Sequence, residues 1–570
     1  MMLTQASFHC PTMKFSLEKF PRKITKVSLF GGYDEKNNLR SRSRSCRELA
    51  VNYNGYPYFT SPRHPLESEL AMQEADCSTA EDGSGIGIVN FFQGKNIFIT
   101  GGTGLVGKVL IEKLLRSTSV GKIYVLVKAN DKETASQRLS EEIIHSELFE
   151  CIREKYGSSY EEFVREKLIP IAGNICKSNL GMDPYYTHTI TEQVDVIIGS
   201  AASTNLNDRY DFSLDVNVNA PQRLMRFAKT CKNLKLFVHV STAYVNGRRE
   251  GIIFEKPLSM GENGKKEDDG TSSSLFPRLD VTDEINLAMK SCIASTENDL
   301  TKNLKRLGLE RAAFYGWYTT YHMTKAMGEM VINEMRGDVP VLIVRPSVIE
   351  SSYKEPIPGW IQGNRMFDPV IMSYGKGLLP AYLADPDVYM DIVPVDLVAN
   401  TIIAAIAKHG IVKKPDLNVY HAATNFVNPL QYSDFFDYIY EYFNAKPATL
   451  SGSIAKMKLF KEFGDFSKYI RDELLQPDGV TNAMTPQKLQ KQYKAKVAYA
   501  EQLCKMYEFI GFFQARFHTG NTRKLLEEMS EEEKLCFEVD ARKIDWRKYF
   551  VQIHIPGFRK HVLNDTKVSV

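Results

Sequence analysis

Lys95-Asn96-Ile97-Phe98-Ile99-Thr100-Gly101-Gly102-Thr103-Gly104-Leu105-Val106-Gly107 is the stretch on which the fold turns. Lys95 to Thr100 is a short apolar run ahead of turn residues, the pattern of a buried strand. Glycines stand at 101, 102, 104 and 107, and a helical run, Lys108 to Leu115, comes next. Strand, glycine turn and helix together open a dinucleotide-binding unit. Gly101 permits the tight turn, Gly104 lets the backbone approach a pyrophosphate, and Gly107 lets the helix pack close to the strand. The phosphates then meet unpaired N–H groups at a helix N-terminus. Candidate contacts are Thr100, Gly101, Gly104, Leu105, Val106 and Gly107.

Downstream the rhythm repeats. A second strand, Lys122 to Val127, is followed by Lys128, where an NAD enzyme usually carries an acid for the ribose hydroxyl. A cation at Lys128, with Lys132 and Arg138 beyond it, suits a 2′-phosphate and favours NADPH. Further strands are expected at Leu168 to Ala172, Val194 to Ile198, Leu236 to Val240 and Val341 to Val344. Helical patterns such as Ala220 to Cys231 lie between them. This βαβ alternation predicts an α/β fold with a doubly wound parallel Rossmann sheet. Ligands of such sheets sit at the carboxyl ends of the strands. Small polar residues stand there, notably Gly173-Asn174, Ser241-Thr242 and Arg345-Pro346-Ser347.

Tyr321-His322-Met323-Thr324-Lys325 falls in a helical stretch reaching about Met335. Positions i and i+4 share a helix face, so Tyr321 and Lys325 project together. An ammonium beside a phenol is expected to lower the tyrosine pKa. Tyr321 can then protonate a carbonyl oxygen as hydride arrives, with Thr242 or Ser241 holding the same oxygen.

The chain has 570 residues, enough for more than one domain. Its net charge of +3 gives no argument for nucleic-acid binding. Nine scattered cysteines show no pair at metal-ligand spacing, so a reducing compartment and no metal site are expected. No apolar run reaches the roughly 18 residues that a membrane span needs. Residues 1–50 hold ten Lys or Arg against four acids and no apolar core segment, the composition of an organelle transit peptide or, alternatively, of a disordered basic tail on a cytosolic protein. A transit peptide and linker are therefore assigned to 1–87. The NADP-binding Rossmann domain follows over 88–450, with an insert at about 247–309 whose polar stretch Gly261 to Ser274 is a candidate lid. A mainly helical C-terminal domain occupies 451–570. That last part carries 21 Lys/Arg against 16 Asp/Glu, with Lys488, Lys491, Lys494 and Lys496 in one run. The run is either a solvated face or a dock for an acidic carrier protein or coenzyme A phosphates. A peripheral membrane contact stays open.

The glycine spacing, Ser241-Thr242-Ala243-Tyr244 and Tyr321/Lys325 resemble the extended short-chain dehydrogenase/reductase superfamily. Longer segments resemble the alcohol-forming fatty acyl-CoA reductases within it. These are Gly316 to Glu329, Arg345 to Gly363, Met390 to Asp396, and Ile544-Asp545-Trp546 with Tyr549, Phe550 and His554-Ile555-Pro556-Gly557. The N-terminal extension resembles the plant plastid branch, the male-sterility type that supplies pollen-wall alcohols. The resemblance implies NADPH-dependent reduction of a long-chain acyl-CoA or acyl–acyl carrier protein (acyl-ACP) to a fatty alcohol, through an aldehyde, in the chloroplast stroma. It implies catalytic roles for Tyr321, Lys325, Thr242 and Ser241, a ribose contact for Lys325, and an adenine contact at Asn174, where the superfamily often has Asp. An acyl tunnel is expected along Trp360, Met366, Phe367 and the 369–379 region. Other readings stay open: a short-chain enzyme acting on a sterol or sugar, a reductase that stops at the aldehyde, and a non-catalytic NADP-binding scaffold.

Overall fold

A computed structural model describes residues 85–264, 277–412, 414–445, 454–474 and 486–563, with side chains from residue 490 on in the last span. Residues 1–84, with the basic N-terminal segment, the part of the polar stretch after Gly264, and the Lys488 side chain lie outside the described residues.

Seven parallel strands form the central sheet: β1 (Ile97–Thr100), β2 (Ile123–Lys128), β3 (Leu168–Gly173), β4 (Val196–Gly199), β5 (Leu236–Val240), β6 (Val341–Pro346) and β7 (Leu417–Ala422). Their order is β7-β6-β5-β4-β1-β2-β3. The first six were expected from the sequence; β7, an edge strand, was not. Ile97 pairs with Ile123 on one side and Val196 on the other, so β1 sits where the winding reverses. That reversal opens the crevice in which such sheets bind ligands.

Why these runs become strands is visible in which way they face. Ile97 and Ile99 pack into the core shared with α1 (Leu105–Ser117), while Phe98 packs into the opposite core with Ile197 and Phe237. Alternate residues of a strand point to opposite faces, and both faces are covered, so the strands are apolar throughout. The second face is covered by α2 (Ala220–Ala228), through Leu224, Met225 and Phe227, and by α3 (Thr320–Met335), through Ile332.

On the first face α4 (Val395–Val412) lies beside α1. At 18 residues and mean hydropathy 1.5, α4 is long and apolar enough to cross a membrane. This corrects the reading of the sequence, in which no run of that length was noticed. Its burial accounts for the composition: 78% of that window is inside the fold, as expected of a helix between a sheet and a second helical layer.

The described residues, between 85 and 563, pack as one compact unit. The part beyond residue 451 is mainly helical, yet it also lends two short strands to the body. Lys458–Phe460 pairs with Ala381–Leu383, and Ala515–Phe517 with Gly251–Ile253, both in parallel. At the other end, the N–H groups of Ile86 and Ile88 donate to the Glu533 carboxylate at 2.8 and 2.7 Å. The described part of the 247–309 insert is largely helical, with Val281–Ala294 and the start of Glu297–Tyr315.

Candidate active site

The glycine turn leaves β1 at Gly101, whose φ of +75° only glycine adopts freely. A Cβ there would also come within 2.5 Å of the Ala201 nitrogen at the end of β4. At Gly107 a Cβ would stand 2.3 Å from the Gly101 carbonyl oxygen and 2.7 Å from the Gly102 Cα. The first turn of α1 is thus laid directly on the loop. Its N-cap, Gly104, offers no side chain to the helix N–H groups, and the first turn carries no acid. A helix end stripped of its own caps is a cradle for an anion. These residues fit the pyrophosphate of a nicotinamide dinucleotide.

Lys128 ends β2 exposed to solvent. The Arg138 guanidinium reaches back to the Lys128 carbonyl at 2.8 Å, bringing a second cation to the same strand end. Asn174 follows β3, and its Oδ1 accepts the Cys176 N–H at 2.9 Å. One lone pair of that oxygen is therefore spent inside the turn, and the other is available to an adenine amino group.

Beyond β5, Ser241 and Thr242 are buried, and Thr242 caps the short helix Ala243–Asn246 by accepting the Tyr244 N–H. The Ser241 Oγ is buried with no partner among the described residues. A buried hydroxyl without a partner is an opening for one brought by a ligand. Thr319 caps α3 and sets the register of Tyr321 and Lys325 one turn apart. Tyr321 is half-buried, and the burial of its phenol pushes it up to about 12, against a smaller lowering by the neighbouring Thr242 hydroxyl.

This corrects one expectation. The Lys325 ammonium does not pull the phenol down, because it is turned to β5. It donates to the Val240 carbonyl at 2.8 Å and meets His239 Nε2 at 3.2 Å. Since an ammonium only donates, Nε2 is the acceptor and the His239 proton sits on Nδ1. Burial lowers Lys325 to about 8 and, with Lys325 beside it, holds His239 well below its usual range. The result is a protonated phenol and a neutral imidazole under a cation.

His239 escaped the reading of the sequence, although it stands two residues before Ser241. The aromatic wall around Tyr321 escaped it too. His322 packs against Tyr321 at 5.3 Å between ring centroids and against Phe509 at 5.1 Å. Phe509 belongs to α5 (Pro486–Gly511) and stacks on Tyr318 at 5.3 Å, while Phe513 and Phe517 flank Tyr244. The C-terminal region thus forms part of the wall beside the phenol. Trp360 and Phe367, expected along an acyl tunnel, are buried, and Phe367 meets Tyr507 of α5 at 6.2 Å between ring centroids. Phe367 packs on Phe435 at 5.5 Å. Lys491, Lys494 and Lys496 are exposed on α5.

Two family models, each described as male sterility protein, match residues 99–402 and 480–565. Among similar chains is "Fatty acyl-CoA reductase 2, chloroplastic" of Arabidopsis thaliana, 47% identical over 496 residues, covering 84% of this chain and 80% of that one. The chain belongs to the fatty acyl-CoA reductase family. The alcohol-forming fatty acyl-CoA reductase of Simmondsia chinensis is 36% identical over 493 residues, covering 84% of this reductase and 99% of that one. In fold, the reductase resembles the terminal R domain of a myxalamid PKS-NRPS pathway, with a TM-score of 0.52 at 16% identity over 82% of this chain and 91% of that one. The likeness supports the Rossmann architecture, and the glycine cradle lies within the segment matched by the first family model.

Proposed function

We propose that this reductase converts a long-chain fatty acyl thioester, on acyl carrier protein or coenzyme A, to a primary alcohol through an aldehyde. The proposed cofactor is NADPH and the proposed compartment the plastid stroma, with the alcohol serving barrier lipids such as the pollen wall. The observation that carries the reading is the half-buried Tyr321 set one helical turn from the buried Lys325, which is anchored on the Val240 carbonyl at the end of β5, with the unpartnered Ser241 Oγ just beyond that strand. Lys128 and Arg138 at the end of β2 favour a 2′-phosphate. The basic, acid-poor N-terminus and the chloroplastic relative favour the plastid.

When bound, NADPH supplies the hydride for each of two reductions. Ser241 and Thr242 hold the carbonyl oxygen, and the orphaned Ser241 Oγ gains the partner it lacks. Tyr321 gives its proton to that oxygen as negative charge develops; a phenol near 12 keeps this proton throughout the physiological range. Lys325, anchored on Val240 and His239, has one N–H left over, which would hold the ribose of the bound cofactor. Phe509 and His322 limit water beside the phenol.

The test is product analysis with protein lacking residues 1 to about 80, given NADPH with palmitoyl-ACP or palmitoyl-CoA. Fatty alcohol that disappears in Tyr321→Phe supports the reading, and the better donor identifies the carrier. Aldehyde alone would reduce the activity to one hydride transfer. No product from either donor, with NADPH still bound, would refute it.

A further inference from the structure

A second cluster of reactive side chains lies outside the proposed reduction. Glu350 ends the short strand Val348–Glu350, Asp368 opens the helix Asp368–Gly375, and His554 lies close to the C-terminus. All three are fully buried. Each is held from behind by one atom. Glu350 Oε1 accepts the Phe367 N–H at 3.2 Å, Asp368 Oδ2 accepts the Arg365 N–H at 2.9 Å, and His554 Nδ1 meets Ser351 Oγ at 3.0 Å. The other atoms, Glu350 Oε2, Asp368 Oδ1 and His554 Nε2, are buried and accept no hydrogen bond from any described residue. Ligating atoms of the three groups lie within 4.8 Å of one another, with His554 Nε2 and Asp368 Oδ1 3.2 Å apart.

Hydrogen-bond accounting fixes what these atoms offer. The Tyr549 hydroxyl donates its one proton to the Ser351 carbonyl at 2.8 Å. At its 3.3 Å contact with Ser351 Oγ the tyrosine oxygen must therefore accept. Ser351 spends its own proton there, so at His554 it accepts, and Nδ1 is the donor. In a neutral ring this leaves Nε2 with a lone pair, aimed at two carboxylate oxygens. Three lone pairs facing one another in a dry interior are unfavourable unless a cation stands between them. Arg365 is in electrostatic range of both carboxylates. Its Nε, however, is turned to the Gln362 carbonyl, and it gives no hydrogen bond to any of the three atoms.

We propose that Glu350, Asp368 and His554 bind a divalent first-row transition-metal ion, with zinc the best match. One imidazole nitrogen and two carboxylate oxygens are a set that zinc accepts. A far-side hydrogen bond orienting each ligand is how such groups are held in metal sites. This differs from the expectation of no metal, which rested on the absence of cysteine pairs at ligand spacing, whereas these ligands come from three distant segments. Buried as it is, the ion clasps the segment at His554 to the short strand Val348–Glu350 and the helix Asp368–Gly375, and takes no part in the chemistry at Tyr321. The proposal does not depend on the reductase reading.

The test measures metal content by mass spectrometry in untagged full-length protein, purified without chelator from zinc-supplemented culture. Glu350→Gln, Asp368→Asn and His554→Gln are measured beside it. The expected result is about one zinc per chain, lost in each variant. In chelated wild-type protein, melting temperature should rise with added Zn2+ and not in variants that still bind NADPH. Two results would overturn the proposal: a metal-free protein whose melting ignores Zn2+, leaving protons to bridge the cluster, or variants that retain the wild-type zinc content. Should the variants fail to fold, Co2+ titration of the chelated wild type decides. Visible ligand-field bands saturating near one equivalent support the site, and their absence overturns it.

Discussion

Replacing Gly107 with alanine sets two effects of opposite sign against each other. Within a helix, alanine is better than glycine by about 1 kcal/mol. Against that, the new Cβ would lie 2.3 Å from the Gly101 carbonyl oxygen and 2.7 Å from the Gly102 Cα, both backbone atoms of the loop. Relief to an ordinary contact needs a displacement of roughly 1 Å, and overpacking of this kind costs about 1–3 kcal/mol. Net destabilisation is then on the order of 1 kcal/mol. With an unfolding entropy of about 2 cal/mol/K per residue, a body of several hundred residues would melt only about 1–2 °C lower. Nucleotide affinity is the sharper readout. A loop moved by that distance loses at least one charge-assisted hydrogen bond to the pyrophosphate, about 1.5–3 kcal/mol. That corresponds to roughly a ten- to hundredfold rise in Kd. The assay is NADPH fluorescence titration of Gly107→Ala against the wild type. A Kd within about twofold of wild type would refute the close-packing argument.

Tyr321→Phe should lower kcat by about 10²- to 10⁴-fold while leaving NADPH affinity nearly unchanged, measured by alcohol formation and by titration. Lys325, held near 8 by burial, binds its proton less tightly in the folded chain than in the unfolded one. Its burial penalty is full below about 8 and is relieved as pH rises toward its ordinary 10.5, so wild-type melting should gain on Lys325→Met across that window. Activity should fall in the same window as the ammonium is lost. His239→Phe should move that inflection, because it removes the acceptor at 3.2 Å, and an unmoved profile would deny His239 a positioning role. Arg345→Met leaves the fully buried Glu329 carboxylate without its 2.6 Å partner and should cost about 3–5 kcal/mol. Adding Glu329→Leu should restore much of it, as read by denaturant titration.

Local signals made much of this fold legible. Strand, turn and helix at 95–115 are fixed by neighbours in the chain, and so is the shared face of Tyr321 and Lys325. The strand β7 was missed because Asn418 and His421 interrupt its apolar run; as an edge strand it needs less apolar surface. The start of α1 was set too late because Gly107, a poor helix former, lies inside its first turn. Glu112 and Lys113 look like a solvated face, yet both are buried: Arg116 pairs with Glu112 at 2.6 Å and Lys113 with Glu355 at 2.7 Å. The partners of Lys325, the wall built by Phe509 and the cluster at Glu350 share one cause of invisibility. Each joins residues far apart in sequence, and no periodicity marks such a meeting.

The bonds from Ile86 and Ile88 to Glu533 carry a consequence for how this chain is made. The first pair spans 447 residues. At about 5–20 residues per second, a ribosome needs on the order of half a minute to a minute and a half to cover that distance. Throughout that interval the beginning of the body has been synthesised without the carboxylate that fastens it. The parallel sheet, with β1 already exposed, must wait for strands and helices made later. Closure of that end therefore waits until residue 533 has been made, and the unfastened body meanwhile exposes apolar surface of the kind that chaperones bind.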